Sequence, residues 1–199
     1  MGQRRALSSI AAVCGFACLA WLANAFASPE GDVWRLDGPH SAAQFSVRHL
    51  GISTVRGTFT KVSGTVTYSP TDVGKSSVDV TIDASSVDTR VTMRDNDLKS
   101  DHFLDVAKYP TITFQSKRAA SAGPGKLTVI GDLTIHGVTK EVTLDVDGPS
   151  TAIKNPMGPG QRTGASAITK INRNDFGITY MSGMIGDEVD IQIDVEMVK

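Results

Sequence analysis

Apolar and polar residues alternate along most of this chain, and that period of two dictates strands with one dry and one wet face. Val78, Val80 and Ile82 alternate with Asp79, Thr81 and Asp83. Val189, Ile191, Ile193, Val195 and Met197 alternate with Asp190, Gln192, Asp194 and Glu196. The same rhythm marks residues 41–49, 127–135 and 142–147. One-sided burial favours antiparallel pairing. About nine strand candidates arise, at the spacing of an all-β sandwich or barrel.

Turn signals separate the strands. Residues 69–72, 121–125 and 155–160 are rich in Pro, Gly, Ser and Asp or Asn. His136-Gly137 falls between two alternating runs and predicts a tight hairpin. Parity flips between Phe59 and Val62, so a strand over residues 55–68 must bulge or bend, with Gly57 and Gly64 along it. Over residues 88–105 the alternation stops. Val91, Arg94, Asp95 and Leu98 recur at spacings of three and four, which predicts a helix over residues 89–99 with Asp88 as its N-cap.

At the N-terminus, Arg4 and Arg5 precede an apolar run over residues 10–22, which ends in Ala25-Phe26-Ala27. Charge, apolar core and small-x-small predict a cleaved secretory signal over residues 1–27 and export from the cytoplasm. After cleavage no transmembrane segment is expected. Removing 27 of 199 residues leaves 172, a size suited to one domain over residues 28–199. Cys14 and Cys18 leave with the signal, so neither a disulfide nor a thiol site is expected. Loss of the two arginines takes the net charge from −1 to −3, without the basic excess that nucleic-acid binding needs.

Motifs for catalysis or cofactors do not stand out. His40, His49, His102 and His136 are widely spaced, and turn or rim hydrogen bonding accounts for them more simply than a metal. The acidic group Asp95, Asp97, Asp101 and Asp105 lacks the ligand spacing of a calcium loop, since Lys99 and Ser100 stand where an oxygen ligand and a glycine are needed. Caps and ion pairs with Arg90 and Arg94 explain it more simply. No metal or cofactor is therefore expected. What remains is the inner face of the sheet. Phe45, Val47, Phe59, Val66, Ile82, Phe114, Leu133, Leu144, Ile191 and Ile193 either fill a dry core or line a cavity.

Five blocks in order carry a resemblance. They are Trp34-Arg35-Leu36-Asp37 with His40-Ser41; residues 45–51 with 55–59; residues 93–100 with Phe103 and Tyr109-Pro110; residues 131–140; and residues 173–177 with 186–189. Together the chain resembles the YceI-like proteins of bacteria over residues 33–198. The resemblance implies an extended antiparallel lipocalin-like β-barrel of about eight strands, with one short helical insertion as a lid. It also implies a long isoprenoid, a quinone-like molecule or another amphiphilic lipid in the tunnel, a place in the periplasm, and no shared enzymatic activity. On that reading, Phe103 and Phe176 are tunnel walls or core, and His49, Arg94 and Asn96 meet a headgroup at the mouth. An enzyme on a small hydrophobic substrate, using His49, His102, Asp95 or Asp97, is a second reading. A ligand-free stress or interaction protein is a third. A homodimer through an edge strand or a flat barrel face is compatible with the pattern.

Overall fold

A computed structural model describes residues 31–199; the expected signal and its cleavage site lie outside the described residues. Twelve strands follow in order: β1 (Asp32–Leu36), β2 (Ala42–His49), β3 (Ser53–Phe59), β4 (Val62–Tyr68), β5 (Ser77–Asp83), β6 (Val87–Asp88), β7 (Thr111–Gly123), β8 (Lys126–Ile135), β9 (Val138–Asp147), β10 (Ile153–Lys154), β11 (Gln161–Asn172) and β12 (Ile185–Val198). One α-helix, α1 (Thr92–Lys99), lies between β6 and β7.

Short breaks split what are in effect eight long staves. β1 and β2 pair in succession with β12, and β4 and β3 pair in succession with β1 and β2. In the same way β5 pairs with β4, and β6 with β3. β7, β8, β9, β11 and β12 continue the meander, and β12 meets β1 to close it. The result is an up-and-down antiparallel barrel of eight staves, without a helix-connected crossover. The seam between β9 and β11 is short, running only from Ser166↔Asp147 to Ile168↔Asp145.

The breaks share one level of the barrel. They fall at Gly38–His40, at Thr60-Lys61 and at Ala84–Ser86. Each changes which parity faces inward: Trp34 but Ala43, Phe59 but Val62, Ile82 but Val87. Bends at one level across neighbouring strands are how a sheet coils tightly enough to close. The bend expected within residues 55–68 is one of the three. Buried Ser41 repairs the ladder at its break, donating to the Asp37 carbonyl (2.8 Å) and accepting from the Glu196 N–H (3.3 Å). Gly64 is where β4 crosses closest to β5, since a Cβ there would run into the Asp79 carbonyl and lie 2.9 Å from the Val80 Cα. Backbone cannot swing aside, so Gly64→Ala is expected to destabilise the barrel by about 2 kcal/mol; urea denaturation would show it.

Two carboxylates lock these breaks. Asp37 bonds the Arg162 guanidinium at 2.6 Å and His40 at 3.0 Å, and both hold its carboxyl below the usual range. Asp83 accepts from the Ser85 hydroxyl (2.6 Å) and N–H (2.9 Å), and its carboxyl is lowered chiefly by that serine. A lowered folded pKa means the stabilisation is complete above the unfolded value, near about 3.9, and is lost as pH falls through the folded value. Urea midpoints should therefore drop between neutral pH and pH of about 3, and Asp37→Asn should flatten part of that drop.

Two expectations need correction. The helix begins at Thr92, not at residue 89, and Asp88 does not cap it: the N-cap is Val91, with no side-chain bond. Arg90 adopts a left-handed conformation (φ 64°), and Thr89 is tied to Asp95 through its N–H (2.8 Å) and its hydroxyl, which keeps residues 89–91 out of the helix. The turn-rich run 155–160 closes a small hairpin in which Ile153 pairs with Arg162, organised around Asn155. The His136-Gly137 hairpin is as tight as expected, with φ of 51° and 73° at its two turn residues.

Candidate functional site

The inward residues of the eight staves do not meet at the centre. They enclose a cavity of about 1010 Å³ that runs from the α1 end of the barrel to the opposite end. Val47, Val66, Val80, Ile82, Ile191 and Ile193 point inward yet are only half-buried, because they face the void. The fully packed side chains lie nearer the α1 end and along one wall: Phe103, Leu104, Ile112, Phe114, Leu133, Ile135, Leu144 and Phe176. Hollowness thus belongs to part of the interior, and a dry core to the rest.

Polar groups on the wall are largely spent within it. The Ser116 hydroxyl accepts from the Val78 N–H at 2.7 Å, where β7 bulges. Thr163 donates to the Ser150 carbonyl at 2.7 Å, and Thr169 to the Thr143 carbonyl at 2.7 Å. A guest in the middle of the barrel therefore meets mostly hydrocarbon. Charged and polar side chains reach the cavity at its ends: His49, Arg94, Asp97 and Arg173 near α1, and Asp32, Ser76 and Ser150 at the other.

The α1 end is built around two arginines. Arg94 donates from Nε to the Thr89 hydroxyl (2.8 Å) and from Nη2 to the Thr89 carbonyl (2.9 Å), so it pins the segment before the helix. Arg173, 5% exposed, spends every guanidinium N–H. Its partners are the carbonyls of Ile178, Tyr180, Ile185 and Gly186 and the Asp187 carboxylate, all at 2.8–3.3 Å. One side chain thereby folds residues 178–187 over the barrel end. His102 bonds Asp97 (2.7 Å) and stacks on Tyr180 with ring centroids 4.1 Å apart.

Of the residues expected to meet a ligand, Phe45, Val47, His49, Phe59, Val66, Ile82, Arg94, Phe103, Phe114, Leu133, Leu144, Phe176 and Ile191 are brought together on the cavity wall. Asn96 is not. It sits two residues past Arg94, about 200° around the helix, and is exposed on the far face. The inner face of α1 is instead Met93, Arg94, Asp97 and Leu98. Nor do Arg90 and Arg94 pair with the acidic group: Asp95 holds Thr89, and Asp97 holds His102. Missed altogether were Trp34, Val62, Val129 and Arg173. The first three continue the inward parity of their strands; an arginine's burial leaves no such trace in the residue pattern.

Among the described residues one carboxylate–histidine trio, Asp37, His40 and Glu196, has its ligand atoms close together. The Arg162 guanidinium already bridges Asp37 (2.6 Å) and Glu196 (2.9 Å), which supplies the positive charge that this group attracts.

An antiparallel barrel closed around an apolar cavity, with a short helix at one end, defines the lipocalin-like class. The particular family follows from comparison: the YceI-like domain model matches residues 34–197, and the chain belongs to that family. The protein YceI of Escherichia coli O6:H1 is 41% identical over 163 residues, covering 82% of this chain and 84% of that protein. A UPF0312 protein of Vibrio cholerae is 38% identical over 162 residues, covering 81% and 84%. Among solved structures, the YCEI protein of Campylobacter jejuni aligns with a TM-score of 0.68 and 33% identity over 76% of this chain and 89% of that one. Burkholderia cenocepacia BcnA aligns with a TM-score of 0.71 and 26% identity, covering 81% and 98%. A polyisoprenoid-binding domain from Saccharophagus degradans shares the fold at a TM-score of 0.62 and 18% identity, covering 83% and 97%.

Proposed function

We propose that this barrel binds a long apolar chain in its cavity and holds it away from water. A polyisoprenoid, an isoprenoid quinone or a comparable amphiphilic lipid fits the reading. The observation that carries it is the continuous cavity of about 1010 Å³ with a hydrocarbon middle and polar ends. The cavity is open to solvent beside Met93, so water that enters it lies against a mostly hydrocarbon wall. A hydrocarbon chain fills the space and gains about 0.8 kcal/mol per buried CH₂.

The family and the apolar cavity wall support binding as the function. The named polyisoprenoid ligand of the structurally similar S. degradans domain points to the same ligand class. The N-terminal signal pattern supports the periplasm, where an insoluble lipid would need sequestration or carriage between membranes. His49 and Arg94 are placed to orient a headgroup. The test is binding of an environment-sensitive apolar dye and its displacement by polyprenyl alcohols of increasing length. Affinity should rise with chain length until the cavity is filled; absence of both dye uptake and displacement would reject the reading.

A further inference from the structure

Six of the ten exposed large hydrophobic side chains among the described residues gather at the α1 end: Leu50, Ile52, Val91, Met93, Tyr180 and Met184. They are held in place. The β2–β3 turn is tied to the loop before β12 by the Leu50 N–H on the Met184 carbonyl (2.7 Å). Arg48 clamps the same turn, donating to the Gly51 carbonyl (2.6 Å) and the Thr54 hydroxyl (2.9 Å). Leu50 stands in a left-handed conformation (φ 52°) that a glycine or asparagine would adopt at less cost. Ile52 beside it is 80% exposed. Turn chemistry favours small polar residues at such a tip, so the chain keeps two aliphatic side chains in water against local preference.

Two further observations say what covers them. Met93 is 81% exposed and also part of the cavity wall, so the cavity reaches the surface inside this patch. Arg48, Arg56 and Arg90 flank it on the outer face of the β2–β3 hairpin and just beyond β6, and none has an ion-pair partner among the described residues. The nearby carboxylates Asp88, Asp95 and Asp97 already accept from the Arg90 N–H, Thr89 and His102. Aliphatic tips, a ring and unpaired arginines around an apolar opening match the boundary of a bilayer, with acyl chains beneath and phosphates above.

We propose that this end of the barrel docks on a lipid bilayer. Leu50, Ile52 and Met93 enter the acyl boundary, and Arg48, Arg56 and Arg90 meet lipid phosphates, which brings the cavity opening to the membrane. The proposal rests on the lipid-binding reading for its purpose, but its test does not.

The exported protein is floated with phosphatidylcholine vesicles, with and without phosphatidylglycerol, and its apolar-dye affinity is measured separately without vesicles. Binding is expected to strengthen with phosphatidylglycerol and weaken in salt. Ile52→Asp should lower it by about tenfold or more, and Arg90→Gln should lower only the phosphatidylglycerol-dependent part. Dye affinity should be unchanged in both variants. Vesicle binding that is absent, or unaltered by Ile52→Asp, overturns the docking surface; if the dye still binds, the cavity reading survives. A concentration-dependent dimer that Ile52→Asp abolishes, with no vesicle binding, also overturns it and assigns the patch to a second copy of the chain. Vesicle binding lost in Ile52→Asp, with no dye taken up by either protein, upholds the docking surface and rejects the cavity reading.

Discussion

Ile191→Trp is expected to weaken binding of a long-chain lipid at least about a hundredfold while leaving the barrel folded. Ile191 lies midway along β12, between Thr169 of β11 and Phe45 of β2, and faces the void half-buried. An indole there takes up space instead of displacing packed neighbours. The strain that usually follows overpacking is then small. A guest loses the room for several CH₂ groups, at about 0.8 kcal/mol each, and four of them already amount to more than a hundredfold. The comparison is Leu133→Ala, at a wall position that is 8% exposed and tightly packed. That change should cost about 2–5 kcal/mol of stability. Titration with a polyprenyl lipid and thermal denaturation of both variants would separate cavity from core.

Arg173→Met should be the most destabilising single change at the α1 end, by about 3–5 kcal/mol. It leaves four carbonyls, of Ile178, Tyr180, Ile185 and Gly186, without their donor, all but Tyr180 on buried or half-buried residues. Each unsatisfied group costs about 1–3 kcal/mol when it cannot reach water. Relaxation of residues 178–187 toward solvent recovers part of that. Lysine should rescue poorly, since one ammonium cannot span a planar fork of acceptors. In a domain of this length the loss corresponds to a Tm fall of about 10 °C. Hydrogen exchange should show residues 178–187 opening first.

Much of the architecture was legible because a strand's period is two and each break shows as a change of parity. Phe59 followed by Val62 reveals one bend; Trp34 to Ala43 and Ile82 to Val87 obey the same logic. The helix start was not legible. Residues 89–91 read as helical by spacing, and the left-handed Arg90 and the Asp95–Thr89 bonds hold them out of the helix. Asn96 could have been excluded from the mouth, because helical geometry turns it away once Arg94 faces in. Hollowness was beyond the pattern. Ile191 faces a void and Leu133 a packed core, though both obey the same alternation. That difference is set by the tilt and stagger of the staves, which no single strand encodes. Arg173 is the clearest gap: arginines are rarely buried, and its five partners lie five to fourteen residues further along the chain.

Native mass spectrometry of the protein recovered gently from cells that make it, followed by solvent extraction, would reveal a lipid held inside the barrel. The expected result is an added mass that solvent releases and that fragments as a long-chain isoprenoid or similar lipid. A bare chain that stays bare after incubation with polyprenyl lipids and quinones would contradict it.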